Sequence, residues 1–166
     1  MVDRLSPERR SRLMSRVKSK DTGPEMIVRR TAHSMGLRFR IHRRDLPGTP
    51  DLIMPRRRLA VFVDGCFWHR HPECRKASMP KSNVAFWEEK FCRNVERDAQ
   101  NNLALESRGW KVSRIWECET RDEQLVREIL TAAISDARCP ITVKAPTSKE
   151  FNNLPDLLYT LISVPS

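Results

Sequence analysis

Apolar and polar positions alternate along this chain with two different periods, and the changes of period mark the elements. Ser6-Pro7 can cap and open a helix to about Lys18, carrying Arg9, Arg10, Arg12, Arg16 and Lys18 with only Leu13, Met14 and Val17 as apolar residues. Such a segment buries too little to order itself and needs a partner, for which DNA is suited. Thr22-Gly23-Pro24-Glu25 has capping-box spacing and predicts a helix through about Met35, stopped at Gly36. Leu37 to His42 alternates apolar and basic residues, as a half-exposed strand does.

Leu46-Pro47-Gly48-Thr49-Pro50 is a rigid turn leading into Asp51-Leu52-Ile53-Met54, and Leu59-Ala60-Val61-Phe62-Val63 follows the Pro55-Arg56-Arg57-Arg58 turn. The two runs predict an antiparallel hairpin. With Met54 facing Leu59, Asp51 lies beside Phe62 and Val63, and the hairpin ends converge at Asp51 and Asp64. A long helix is expected from about Asn83 to Arg108, with Trp87, Phe91, Val95, Ala99 and Leu103 as its buried stripe and Gly109 as its stop. Trp110 to Trp116 alternates as a strand, and a last helix runs from roughly Asp122 to Ala137. From Cys139 onward four prolines and no clear period predict a tail that wraps the surface or stays mobile. The expected fold is α/β, a single domain over 21–138 between a basic N-terminal segment, 1–20, and a C-terminal tail, 139–166.

At 166 residues the chain suits one domain with a real core. No stretch approaches the roughly 20 apolar residues of a membrane span, and Met1-Val2-Asp3-Arg4-Leu5-Ser6-Pro7 lacks an apolar signal core. A cytoplasmic, reducing setting is therefore expected, in which five cysteines read as metal ligands or free thiols and not as a disulfide framework. The net charge of +10 is localised: residues 1–58 hold 16 Lys and Arg against 6 Asp and Glu, whereas residues 59–166 hold 15 of each. A positive field on one segment suits a polyanion, because neutralised phosphates release condensed counterions.

Two constellations carry chemistry. Cys66, His71 and Cys74 lie in a segment, Gly65 to Met79, with no hydrophobic period to fold it. Zinc folds such a loop well, and Cys118, just beyond the last strand, can complete a tetrahedral shell. Free buried thiols with incidental surface histidines are the alternative, and His69 competes with His71 as the nitrogen ligand. Cys92 reads as a small core residue. Separately, Asp51 at the start of a strand, with Asp64 and His69 one strand later, suits phosphodiester hydrolysis. A carboxylate, a backbone carbonyl and waters hold magnesium, and a neutral imidazole takes a proton from the attacking water. The plainer reading makes Asp51 a turn residue and Asp64-Gly65 a turn signal. Phe67 and Trp68 either stack on bases or pack against Trp116 or Trp87.

The runs Leu46-Pro47-Gly48-Thr49-Pro50-Asp51, Val61-Phe62-Val63-Asp64-Gly65-Cys66-Phe67-Trp68-His69, Phe86-Trp87-Glu88-Glu89-Lys90, Asn94-Val95-Glu96-Arg97-Asp98, Gly109-Trp110 and Trp116-Glu117-Cys118 together resemble the very-short-patch-repair (Vsr) DNA mismatch endonuclease family, in the same order over about residues 8–120. The resemblance implies a fold like that of type II restriction endonucleases, a central mixed sheet flanked by helices with a structural zinc site. It implies a magnesium-dependent enzyme that nicks one strand 5′ of the mismatched T in a T:G pair left by 5-methylcytosine deamination.

By the same resemblance, Asp51 and the main-chain carbonyl of Val63 bind the magnesium ion, His69 activates water, and Glu25 lies near the metal's water shell, although the capping box explains Glu25 equally well. Cys66, His71, Cys74 and Cys118 are the zinc ligands. Phe67, Trp68 and Trp87 insert beside the mismatch, and the segment carrying Arg9, Arg12 and Arg16 clamps the opposite groove. Implied partners are duplex DNA with a T:G mismatch, mismatch-repair matchmaker proteins and a downstream DNA polymerase, with the enzyme a nucleoid-associated bacterial monomer. One departure concerns chemistry: the family's best-known member has Thr and His where this chain has Val63 and Asp64, so Asp64 is expected to bind metal directly, to bind it through water, or to hold His69. Rival functions are a double-strand cutter of restriction type and a zinc-containing mismatch-binding protein without catalysis.

Overall fold

The computed structural model describes Arg12 and residues 20–41 and 43–135. Within the expected basic helix, Arg12 is helical and exposed. The rest of that segment, with Arg9 and Arg16, lies outside the described residues, as do His42, the last two positions of the expected final helix, and the tail from Cys139.

Thr22 caps helix α1, Gly23–Ser34, and both halves of the capping box form. The Glu25 amide reaches the Thr22 hydroxyl at 3.4 Å and the Thr22 amide reaches Glu25 Oε1 at 3.4 Å. Gly36, at φ +70°, follows the helix and turns the chain toward the sheet. The stretch after it is not a strand. Only Arg40 bridges, exchanging two 2.8 Å hydrogen bonds with Ile53, before the chain enters the turns around Asp45.

Strand β1, Leu52–Met54, returns through a 3₁₀ turn, Pro55–Arg57, into β2, Leu59–Asp64. The register is that expected from the sequence, with Met54 opposite Leu59 and Leu52 opposite Val61. Long helix α2, Val84–Ser107, then carries the chain to β3, Lys111–Trp116, which pairs in parallel with β2 and sets Phe62 opposite Arg114 and Asp64 opposite Trp116. Helix α3, Glu123–Ser135, is opened by Asp122, whose carboxylate accepts the Gln124 and Leu125 amides at 2.9 and 3.2 Å. The mixed sheet has the order β1-β2-β3.

Alternation along the strands sorts side chains onto two faces. Leu52, Met54, Leu59, Val61 and Ile115 pack with Val28 and Ala32 of α1 and Val126 and Leu130 of α3. Ile53, Ala60, Phe62 and Val112 point the other way, onto Leu105 of α2. Following that second face along the strands, apolar side chains give way to Asp51, Asp64 and Arg114, which line a cleft.

The expected buried stripe of α2 is corrected here. Phe91 is buried, but Ala99 is exposed and Val95 and Leu103 are 47% and 67% exposed. Steps of four residues advance 400°, so each rotates the series by about 40°, and Leu103 stands nearly opposite Trp87. The inward face runs instead through Trp87, Phe91, Asn94, Asp98, Asn102 and Leu105. It is polar in the middle because that part overlies the cleft.

Candidate active site and metal centre

The cleft is floored by the ends of the hairpin and walled by α2 and the segment after β2, and encloses about 950 Å³. Asp51, Val63, Asp64, His69 and Glu25 all line it. The turn before Asp51 closes one side, where Gly48, at φ +70°, lies so near Asn101 that a Cβ would sit 3.0 Å from its side-chain amide. Lys20, Arg44 and Arg97 stand around its edge and supply positive charge above an acidic floor.

Asp51 is half-buried. Its amide donates to Val61 at 3.0 Å and its Oδ2 accepts the Val63 amide at 2.7 Å, so the carboxylate is held directly against the Val63 backbone. Burial pushes its pKa up to about 7, the Val63 hydrogen bond opposes this, and the charges of Glu25 and Asp64 add to it. A carboxylate so placed is one that a cation would stabilise. Glu25 is buried and fully engaged: Oε1 accepts the Thr22 hydroxyl at 2.8 Å, and Oε2 accepts the Asp21 amide at 2.9 Å and Arg29 Nη2 at 2.8 Å.

Asp64 ends β2, buried, ion-paired to Arg114 and 3.8 Å from His69 Nε2. Burial raises its pKa, against the pull of Arg114 and His69. His69 Nδ1 lies 2.5 Å from Asp98 Oδ2. A carboxylate only accepts, so Nδ1 carries the hydrogen, and Nε2 is the nitrogen left to act as a base. Burial alone lowers the His69 pKa, but the Asp98 hydrogen bond and the charge of Asp64 outweigh it and the net shift is upward. Asp98 and Arg114 escaped the sequence analysis as site residues. Asp98 stood within the quoted Asn94 to Asp98 block, and Arg114 was hidden in the alternation of a strand.

A second group lies just beyond β2. One ligand atom from each of Cys66, His71, Cys74 and Cys118 falls within 4.8 Å of all the others. His71 Nδ1 is 3.6 Å from Cys66 Sγ and 3.3 Å from Cys118 Sγ. A tetrahedral ion with bonds of about 2.0–2.3 Å separates its ligands by roughly 3.3–3.8 Å, so this group can hold a metal. His71 stacks on Trp116 at 4.2 Å and 7°, which fixes the ring, and burial lowers its pKa toward the neutral form a ligand needs. Burial pushes the Cys66 thiol up to about 12. His69 lies outside the group, and Cys92 is half-buried on α2, not a core residue.

Between the two sites the aromatics cluster. Phe67 makes edge contacts with Trp68, Trp87 and Phe91 at 5.0, 5.5 and 5.1 Å. Trp68 and Trp87 lie 6.1 Å apart, and Trp116 belongs to His71 instead. Phe67, Trp68 and Trp87 remain half-buried, and Phe86, 52% exposed, extends the cluster outward. Asn94 donates to the Trp68 carbonyl at 3.0 Å and ties the loop to α2.

A three-stranded mixed sheet with helices on both faces, carrying an acidic cleft beside a Cys/His group that could hold a metal, thus defines a small α/β protein with the site on one sheet face. A family model described as DNA mismatch endonuclease Vsr matches residues 2–76. The type II nicking enzyme V.XorIIP of Xanthomonas oryzae pv. oryzae is 52% identical over 134 residues, 78% of this chain and 98% of the relative. The type II nicking enzyme V.NmeAIP of Neisseria meningitidis is 38% identical over 138 residues, 83% and 98% of the two chains. The DNA mismatch endonuclease Vsr of Escherichia coli K12 is 36% identical over 140 residues, 84% and 89%. The chain belongs to the Vsr DNA mismatch endonuclease family.

Proposed function

We propose that the protein is a DNA mismatch endonuclease that nicks one strand 5′ of the mismatched T in a T:G pair, with magnesium in the cleft and structural zinc at the Cys/His group. The observation that carries this reading is the meeting of Asp51, His69 and Asp98 in one cleft beside a half-exposed aromatic cluster, in a member of this family. The hairpin bearing Asp51 and the helices on both sheet faces also support a fold of restriction-endonuclease type.

Asp51 and the Val63 carbonyl are the groups that would hold magnesium, which supplies charge stabilisation at the scissile phosphate. The raised pKa of Asp51 fits that assignment, since its carboxylate has no ion-pair partner among the described residues. His69, with Nδ1 held by Asp98, takes the proton of the attacking water at Nε2. Lys20, Arg44 and Arg97 face the phosphates on either side. Zinc on Cys66, His71, Cys74 and Cys118 is supported by ligand spacing and by three sulfur ligands, which suit zinc better than magnesium.

Phe67, Trp68 and Trp87 act as a wedge. Prying open a base step costs a few kcal/mol, and less at a wobble pair, while each ring stacked on a base returns about 1–3 kcal/mol. The balance favours a mismatched step over an intact one. In the same reading the segment 1–20, with Arg9, Arg12 and Arg16, clamps the duplex from the other side, and the protein acts as a monomer on one strand.

The test is an end-labelled nicking assay on T:G and T:A duplexes with varied flanks, with and without magnesium. One nick in the T:G duplex, dependent on magnesium, is expected. Asp51→Asn should lower the rate by at least about 10³-fold and leave duplex binding within about threefold. Cleavage of both strands in paired DNA would instead identify a cutter of restriction type, and binding without cleavage a mismatch-recognition protein.

A further inference from the structure

Arg114 reaches the cleft from an unusual direction for a catalytic cation, upward from the middle of a strand. On β3 it stands opposite Phe62 and on the sheet face covered by α2, with its guanidinium 5.5 Å from the Phe62 ring centre. Its side chain is 18% exposed. Nη1 ion-pairs with Asp64 Oδ2 and lies 3.6 Å from Asp98 Oδ2, while Nη2 reaches Asn102 Oδ1 at 3.3 Å. Asp98 Oδ2 is the same oxygen that contacts His69 Nδ1, and the other oxygen of Asp64 is 3.8 Å from His69 Nε2.

The four side chains therefore close a ring: Arg114 to Asp98, Asp98 to His69, His69 to Asp64, and Asp64 back to Arg114. Two carboxylates this close, one of them buried, repel each other and carry a desolvation cost unless a cation joins them. A guanidinium suits that place because it cannot lose its proton, and while Nη1 meets both carboxylates Nη2 anchors the planar group on Asn102. Both terminal nitrogens are engaged with protein groups, which leaves the guanidinium badly placed to bind a phosphate through its fork. Arg29 stands in the same relation to Glu25 on the opposite wall, so that Asp51 is the cleft-lining carboxylate without an ion pair among the described residues.

We propose that Arg114 is a positioning residue of the nicking reaction: it clamps Asp64 and Asp98 on either side of His69 and holds the imidazole with Nε2 toward the cleft. Asp64 then serves His69 and not the metal. This inference rests on the nicking reading of the same cleft.

Single-turnover nicking of a T:G duplex by the full-length zinc-loaded protein tests it, comparing wild type, Asp64→Asn, Arg114→Lys, Arg114→Met and the double variant D64N/R114M. Duplex binding and thermal unfolding are followed in parallel. Arg114→Met should slow nicking about 100-fold with binding within about threefold, and Arg114→Lys should be intermediate, because an ammonium keeps the charge between the carboxylates but loses the second arm that anchors it on Asn102. The double variant should lose much less than the product of the single losses, since Asp64→Asn removes the carboxylate that Arg114→Met strands.

Nicking by Arg114→Met at the wild-type rate would overturn the proposal. So would multiplicative losses in the double variant, or weaker binding with a salt slope reduced by about one, which is the behaviour of a direct phosphate contact. Should Arg114→Met fail to fold, Arg114→Gln decides the matter: a wild-type rate in that uncharged polar variant removes the bridging role. Absence of nicking by the wild type itself would strike the functional reading instead.

Discussion

The 2.5 Å contact between His69 Nδ1 and Asp98 fixes which imidazole nitrogen can serve as a base. Asp98→Asn keeps the shape and removes the charge, so that the amide no longer selects the tautomer with hydrogen on Nδ1. The nicking rate is expected to fall about 10²–10⁴-fold while duplex affinity holds within about threefold, measured by single-turnover kinetics beside equilibrium binding. A fall in affinity as large as the fall in rate would place Asp98 in DNA binding instead. At this scale the sequence announced Asp51 through its position at the start of a strand, and His71 as one of two candidate ligands that the resemblance separated from His69. It did not announce Asp98 as a partner of His69, because a carboxylate on a helix 29 residues away looks like any other solvated charge until the helix is docked.

Helix α2 is where periodicity misled, for a reason that can be tested. Its true inward face mixes steps of three and four residues, and it places Asn94, Asp98 and Asn102 inward, where a reading based on hydrophobicity looks for leucines. Leu105 is fully buried against Ile53, Ala60 and Val112, whereas Leu103 is 67% exposed. Leu105→Ala is expected to cost about 2–5 kcal/mol in urea unfolding, and Leu103→Ala to stay within about 0.5 kcal/mol. Equal effects would show that the helix is rotated from the orientation described. The hairpin, by contrast, was legible to within a register step, because a short turn between two apolar runs leaves few pairings that keep Val61 and Leu59 in the core.

Across the whole molecule, the Cys/His group joins the loop from Gly65 to Met79 to the far end of β3. Cys66 follows β2 by two residues and Cys118 follows β3 by two. That loop carries His69, Phe67 and Trp68, yet it contains only short turns and one 3₁₀ segment, Arg75–Ala77. If the group holds zinc as proposed, Cys118→Ser should lower the metal content, reduce stability on the order of 3 kcal/mol and slow nicking together, read from metal analysis, thermal unfolding and the nicking assay. Full zinc content and unchanged stability would remove Cys118 from the ligand set. The sequence supplied the four residues but not their arrangement, since bringing Cys118 to the others depends on β2 and β3 running parallel, side by side.

One rod, α2, bears on both the aromatic cluster and the proton-handling pair. Phe91 touches Phe67 and Trp87, and Asp98, two turns further along or about 10 Å, grips His69. On the proposed reading, a base that presses on the rings would bear on the same helix that holds the imidazole. Selectivity for a mispaired step would then be expressed in how fast the strand is cut as well as in how tightly the duplex is held.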